Sequence, residues 1–126
     1  MAETKRVLIV DDSSTSRMII QRCVEMSAPR YGDFAHAENG MEALAMLRED
    51  QGYDLILTDI NMPKMDGQTF VKLVKNDKLT RELPVIVVSS IADSAFVEGL
   101  LKLGVAAVIK KPVSPAKMLE AIGGIA

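Results

Sequence analysis

The chain has 126 residues, of which 48% are hydrophobic, and this is enough apolar material for one domain with a single core. Its formal net charge of −2 gives no electrostatic reason to expect direct binding to nucleic acid or to an anionic membrane. The sequence has no signal-like or membrane-length apolar stretch, and its single cysteine, Cys23, cannot form an internal disulfide. We therefore predict a cytoplasmic protein in which Cys23 is a small core residue.

Short apolar runs alternate five times with stretches of helical spacing. Strands are predicted near residues 6–10, 33–37, 54–58, 84–89 and 105–109. Continuous apolar runs such as residues 85–88 are typical of a parallel sheet that is covered on both faces. We therefore predict an α/β fold with a doubly wound, five-stranded parallel sheet in a single domain.

The five predicted helices are defined by apolar spacing and by residues typical of helix ends. The spacing is carried by Ile19, Ile20, Cys23 and Val24; Met41, Leu44 and Leu47; Phe70, Leu73 and Val74; Phe96, Gly99, Leu100 and Leu103; and Met118, Leu119 and Ile122. Asn39 and Glu42 resemble a capping box, and Ser114 is a cap residue before a proline at the first helical position. Gly104 closes the fourth helix, and the two glycines at residues 123–124 close the fifth.

Four of the predicted strands end at polar or charged side chains. These side chains are Asp11 and Asp12 after the first strand, Asp59 after the third, Ser89 after the fourth, and Lys110 and Lys111 after the fifth. In open α/β sheets, ligands bind in the crevice beyond the carboxyl ends of the strands. The sequence therefore predicts one site with three carboxylates, a hydroxyl and an ammonium, suited to holding a divalent metal and receiving a phosphoryl group.

These strand-end residues, with the segments Met-Pro at 62–63, Met-Asp-Gly at 65–67 and Lys-Pro at 111–112, match a known family. The chain resembles the receiver domain of two-component response regulators, particularly the single-domain chemotaxis type, over essentially residues 1–126. The resemblance implies a flavodoxin-like fold with strand order 2-1-3-4-5. It also implies a signalling switch that phosphorylates and dephosphorylates itself, rather than a turnover enzyme.

By this resemblance, Asp59 is the phosphoacceptor, a nucleophile that is already ionised at neutral pH and needs no general base. The resemblance implies Mg²⁺ as the cofactor, with Asp12 and Asp59 as direct ligands, the backbone carbonyl of Asn61 as a third, and Asp11 acting through water. Lys111, before a cis proline bond, would pair with Asp59 at rest and with a phosphoryl oxygen afterwards. The Ser89 hydroxyl would hydrogen-bond the phosphoryl group.

Several polar residues have ordinary structural interpretations. Asp12 or Ser13 is expected to cap the first helix, and Asp66 is interpreted as a cap and turn residue. We interpret Lys110 as a solvated neighbour of the functional lysine, and the only histidine, His36, as a structural residue of the second strand. The eight methionines are interpreted as core filler and loop contacts.

The leading functional prediction is a monomeric switch that receives its phosphoryl group from a histidine kinase or a small phosphodonor. Its output partner is not identifiable from the sequence, and a chemotaxis or motor component is one class of candidate. One alternative is an aspartyl-nucleophile phosphohydrolase, although such enzymes place Asp-x-Asp after their first strand. A second alternative is a receiver-like adaptor that does not depend on phosphorylation, although such a chain would be expected to lack Asp59 or Lys111.

One position departs from the family pattern and affects how a signal would leave the site. Receivers commonly carry Tyr or Phe three residues before the active-site lysine, whereas this chain has Val108. Valine has no ring to swing inward, and its branched side chain has little freedom at χ1. We therefore expect activation to be transmitted mainly through the loop at residues 90–93 and the helix behind it.

Overall fold

In residues 4–125, which the computed structural model describes, strands and helices alternate five times. The strands are β1 (Lys5–Val10), β2 (Tyr31–Ala37), β3 (Leu55–Thr58), β4 (Val85–Ser89) and β5 (Ala107–Lys110). The helices are α1 (Ser14–Ser27), α2 (Gly40–Glu49), α3 (Gly67–Asn76), α4 (Ser94–Lys102) and α5 (Pro115–Gly123). None of the helices in this part of the chain has the length and apolar character needed to cross a membrane.

All neighbouring strands pair in parallel in the order β2-β1-β3-β4-β5, which confirms the predicted fold and strand order. The chain moves outward in one direction from β1 to β2, and in the other direction from β3 to β5. The carboxyl ends of β1 and β3 therefore lie side by side where the connections diverge, with Val10 opposite Thr58. This arrangement leaves the crevice in which such sheets bind ligands.

The sheet separates two apolar layers. Alternate residues of β1 point to opposite faces, so Leu8 packs in one layer and Ile9 in the other. The first layer includes buried residues of α2, α3 and α4, among them the fully buried Phe70. The second layer includes buried residues of α1 and α5, among them Cys23, whose predicted place in the core is confirmed. Because both faces are covered, the strands can be apolar throughout.

The strand boundaries differ from the predicted ones by up to two residues. The starts of β5 and β2 each differ by two residues. Strand β5 begins at Ala107 rather than at residue 105 and includes Lys110. The backbone N–H of Ala106 donates to the carbonyl of Val85 before the ladder begins, and Val105 is buried under α4. Similarly, β2 begins at Tyr31, two residues early, because Tyr31 already pairs with β1. Hydrogen bonding to a neighbouring strand determines where these two strands begin. The apolar character of the sequence alone does not predict that pairing.

Side-chain caps begin all five helices of the described segment. The caps Ser13, Asn39, Asp66, Asp93 and Ser114 each accept a hydrogen bond from the backbone N–H three residues later. The caps at Asn39 and Ser114 confirm the predictions, as does the cap role of Asp66. Ser13, rather than Asp12, caps α1, so Asp12 is free of that structural role.

The glycines at the helix ends behave differently from each other. Gly104 follows α4 with a φ of +102°, a conformation that glycine adopts at little cost, and the prediction that it closes this helix is confirmed. Gly124 caps α5 with a φ of −73°, an ordinary right-handed value. The fifth helix therefore ends without the left-handed turn for which a glycine is needed.

Some apolar residues with helical spacing face solvent instead of the core. The residues Ile19, Met41, Leu73 and Leu119 are between 41% and 56% exposed. Each helix packs against the sheet along one narrow face. An apolar residue beside that face can therefore remain exposed to solvent.

The interpretation of the methionines as core filler and loop contacts is only partly right. Met118 is fully buried, and Met46, Met62 and Met65 pack against the edge of the first apolar layer. The interpretation is wrong for three others, which face solvent. These are Met18, Met26 and Met41. Met1 lies outside the described residues.

Candidate functional site

Three carboxylates meet at the carboxyl ends of the two central strands. The backbone N–H of Asp59 donates to the carbonyl of Val10 at 2.9 Å, which fixes Asp59 beside the end of β1. Asp11, Asp12 and Asp59 can each place one carboxylate oxygen within 4.8 Å of the others. Asp11 and Asp59 are buried, whereas Asp12 is exposed. The fold therefore assembles the acidic residues that the sequence predicted at one site.

The donor set of this cluster fits a hard divalent cation such as Mg²⁺. Two carboxylates about 4 Å apart repel each other by roughly 4 kcal/mol at an effective dielectric constant of 20. A cation that takes oxygen ligands would relieve this repulsion, and Mg²⁺ typically uses one or two carboxylates together with water and phosphate oxygens.

The carboxylate of Asp11 is already engaged by neighbouring groups. Its Oδ1 accepts a hydrogen bond from the backbone N–H of Ser13 at 2.9 Å. Its Oδ2 accepts one from the Ser16 hydroxyl at 2.6 Å and lies 3.4 Å from Lys111 Nζ. Asp12 projects into solvent and is more available for direct coordination. That Asp11 acts on a metal through water stays a prediction.

Lys111 supplies the positive charge of the site. Its Nζ lies 3.4 Å from Asp11 Oδ2 and 3.6 Å from Asp59 Oδ2, so one ammonium faces both buried carboxylates. The backbone around it is held on both sides, because Lys117 Nζ donates to the carbonyls of Lys110 and Pro112. The Lys111–Pro112 peptide bond is cis, as the resemblance implied. Lys110 is exposed and lies outside the ion pairs.

Burial and charge act in opposite directions on Asp59. Burial raises the pKa of its carboxyl, and the negative charge of Asp11 adds to this effect. The hydrogen bond from the backbone N–H of Ile60 to Oδ1, at 2.7 Å, and the Lys111 ammonium oppose the rise. The pKa of this carboxyl stays above its ordinary value, so ionising it costs more free energy than in water. A cation bound beside Asp59 would lower that cost.

Ser89 ends β4 and is fully buried. Its Oγ accepts a hydrogen bond from the backbone N–H of Ile91 at 3.1 Å. The hydroxyl that was predicted to contact a phosphoryl group therefore also holds the first turn of the loop that leads to α4. Ser90, the next residue, is exposed.

The segment after Asp59 is closely fitted. Asn61 is exposed in this loop, two residues beyond Asp59. Lys64 has a φ of +66°, which is uncommon for a residue other than glycine, and Met65 N donates across it to the carbonyl of Pro63. A Cβ atom on Gly67 would lie 2.3 Å from the Asp59 carbonyl oxygen, so only glycine lets α3 begin this close to Asp59.

Sequence analysis did not identify three residues that contact the site or its supports: Ser16, Arg17 and Lys117. Ser16 and Arg17 lie one helical turn beyond Ser13, on the side of α1 that faces Asp11. Both residues stand in an unbroken polar run before the apolar positions of α1, so nothing in the sequence distinguishes them from their polar neighbours. The contacts of Lys117 had no signal either, because they depend on how α5 packs beside the end of β5.

Comparison with known proteins agrees with this geometry. Residues 7–123 match the family described as the response regulator receiver domain. The chain therefore belongs to the receiver domain family of response regulators. Proteins of this family are phosphorylation-activated signalling switches and bind Mg²⁺ at an acidic pocket.

Curated relatives include a chemotaxis protein and a sensor histidine kinase. The chemotaxis protein CheY1 of Helicobacter pylori is 38% identical over 115 residues, covering 91% of each chain. The sensor histidine kinase CheAY of the same species is 46% identical over 85 residues, covering 67% of this chain but 10% of the kinase.

Solved structures show the same architecture. The chemotaxis response regulator CheY4 of Vibrio cholerae superposes with a TM-score of 0.85 at 26% identity, covering 98% of this chain and 99% of CheY4. The CheX–CheY–BeF3–Mg complex of Borrelia burgdorferi gives a TM-score of 0.84 at 26% identity, with 98% and 90% coverage. Both similarities extend over nearly the whole chain.

Proposed function

We propose that this chain is a chemotaxis-type switch in which Asp59 accepts the phosphoryl group with the help of Mg²⁺. The observation that carries the proposal is the position of Lys111 Nζ, 3.6 Å from Asp59 Oδ2, beside a cluster of three carboxylates. Asp12, Asp59 and the backbone carbonyl of Asn61 would hold the ion, and Asp11 would act through water. When bound, Mg²⁺ supplies the charge that neutralises phosphoryl oxygens.

The residues divide the work of phosphoryl transfer. One carboxylate oxygen of Asp59 forms a bond to phosphorus while the donor's phosphorus–nitrogen or phosphorus–oxygen bond breaks, and the leaving group takes the bonding electrons. Lys111 neutralises charge on the transferred group, and Ser89 donates a hydrogen bond to it. The chain is consumed stoichiometrically in this step, so we propose an acceptor that is reset by hydrolysis, not a turnover enzyme.

We propose a histidine kinase as the donor and a chemotaxis component as the output partner. The relatives named above support this assignment, because one is a sensor histidine kinase and one is a CheY protein in complex with CheX. We further propose that the chain acts in the cytoplasm as a monomer. Size-exclusion chromatography with and without phosphodonor would test the last point.

The experiment that tests the function uses acetyl phosphate and Mg²⁺. We expect modification of Asp59 alone, identified by borohydride trapping and peptide mass mapping. The variant Asp59→Asn should show no modification, and the wild-type chain in excess EDTA should show very little. Modification that persists undiminished in Asp59→Asn would contradict the assignment of the phosphoacceptor.

A further inference from the structure

Arg17 connects the acidic site to the second strand of the sheet. Its Nη1 donates to the backbone carbonyl of Asp11 at 2.6 Å. Its Nε donates to His36 Nδ1 at 3.2 Å. The guanidinium is half-buried between α1 and β2, so it is held at both ends instead of moving freely in solvent. Arg17 thus fixes the main chain at the point where β1 gives way to the acidic pair.

The contacts of His36 determine which of its ring nitrogens carries the proton. Because Arg17 Nε can only donate, His36 Nδ1 must accept, and the proton of the neutral ring resides on Nε2. Nε2 lies 2.7 Å from Gln21 Oε1, which accepts this proton's hydrogen bond. Gln21 and Arg17 are one turn apart on the same side of α1. The imidazole is therefore oriented by α1 and in turn orients Arg17.

We infer that Arg17 and His36 are positioning residues that hold Asp11 and Asp12 in the geometry needed for Mg²⁺. The inference rests on the proposed function and deepens it. The side chain of Asp11 is fixed by Ser16 and Lys111, but its carbonyl is fixed by Arg17. Without Arg17, the backbone at residues 11–12 loses a charge-assisted hydrogen bond and the two carboxylates lose their common orientation.

The sign of the effect separates positioning from simple electrostatics. Removing a positive charge close to a carboxylate cluster should strengthen cation binding if charge were the only influence. Loss of a residue that orients ligands weakens metal binding, typically by 10–100-fold. We therefore expect Arg17→Met to bind Mg²⁺ about tenfold more weakly than the wild-type chain.

The experiment measures the Mg²⁺ dissociation constant of the unphosphorylated protein by isothermal titration calorimetry. Arg22→Met is the matched control, since Arg22 lies on the exposed side of the same helix and its removal changes the net charge equally. Two variants at His36 probe the connection directly. His36→Asn places its amide, with the acceptor Oδ1, near the Nδ1 position, whereas His36→Gln places its amide near the Nε2 position instead.

We expect His36→Asn and Arg22→Met to bind Mg²⁺ within about twofold of the wild type, and His36→Gln to approach the loss seen in Arg17→Met. Urea unfolding of each metal-free variant shows whether the fold is intact, and the His36 pair remains informative if Arg17→Met does not fold. Unchanged or tighter binding by Arg17→Met, or equal losses in both His36 variants, would overturn the inference. If the wild-type chain itself bound no Mg²⁺, the proposed function would fail instead.

Discussion

Asp59 is the residue at which burial and charge oppose each other most directly. Its pKa is raised by burial, despite Lys111 and the Ile60 N–H, so the folded chain binds a proton here more readily than the unfolded chain. Stability therefore falls as pH rises from the ordinary carboxyl pKa through the raised one. Above that window, the ionised carboxylate costs the metal-free fold a constant amount of stability.

Asp59→Asn should therefore be more stable than the wild type at neutral pH without metal. The asparagine Oδ1 can still accept the Ile60 hydrogen bond, while the buried charge and its repulsion with Asp11 are removed. Urea unfolding between about pH 4 and pH 8 should show the difference shrinking as the wild-type carboxyl becomes protonated. A less stable variant at neutral pH would mean that the ion pair with Lys111 outweighs the cost of burial.

Asp12 offers the complementary test, because it is exposed and Ser13 performs the capping. We expect Asp12→Ala to abolish Mg²⁺ binding while the metal-free free energy of unfolding stays the same or rises, since one repelling charge is gone. Mg²⁺ at 100 times its dissociation constant should stabilise the wild type by about 2.7 kcal/mol and the variant not at all. A metal-free loss above about 1 kcal/mol would assign Asp12 a structural role.

At the scale of elements, α4 and the loop before it are placed to respond to phosphorylation. Ser89 Oγ holds the Ile91 N–H, so movement of this hydroxyl towards a phosphoryl group would weaken the first bond of the loop. Val108, half-buried against the same apolar layer as α4, has no ring to follow that movement. A backbone change in the loop remains as the available route.

Hydrogen exchange with and without beryllofluoride and Mg²⁺ should reveal this route. We expect altered protection at residues 89–100, because differential contacts in the two states are what define a switch. The amides of α3, which buries Gly67, Phe70, Val71 and Val74, serve as an internal reference. If protection at residues 89–100 stayed constant while β5 and α5 responded, the route through the loop would be wrong.

Helix α4 is also weakly reinforced from within. Leu100 is its one buried residue, and Gly99 beside it has no atom within 4 Å of an added Cβ. A glycine inside a helix costs roughly 0.5–1 kcal/mol relative to alanine. Gly99→Ala should therefore slow hydrogen exchange of α4 amides by about two- to fivefold without affecting α3. Unchanged exchange would show that α4 opens only when the whole domain unfolds.

At the scale of the molecule, the fold class was predictable from the sequence because several independent patterns indicated the same architecture. Buried strands, cap residues and strand-end acids all indicated one doubly wound sheet, and the strand order followed from resemblance. Exact strand ends were not predictable, since Tyr31 joins β2 through its partner strand and not through its own apolar run. The buried side of a helix was also not fully predictable, because it depends on which neighbours the helix packs against. Ile19 and Leu119 have helical apolar spacing and yet are exposed.

The candidate site was predictable only in its innermost layer. Asp11, Asp59, Ser89 and Lys111 are typical residues for the chemistry and stand at strand ends. The contacts that orient them come from elsewhere in the fold. Arg17 and His36 are 19 positions apart, and their contact requires knowledge that α1 packs beside β2. No regular spacing in the sequence predicts a contact between two such residues when the fold is not known.

The small number of buried side chains in α4 affects how much signal the unphosphorylated chain gives. Leu100 is the one buried residue of α4, and Phe96 packs against the same apolar layer from a partly buried position. We expect such a helix to open at a smaller free-energy cost than its neighbours, and the resting chain to sample the displaced arrangement as a minor population. Phosphorylation would then shift the equilibrium between two conformations that are already populated. The fraction of the displaced conformation before phosphorylation would set the minimum level of signal. We therefore expect substitutions at Gly99, which lies on α4 and not at the acidic site, to change background signalling.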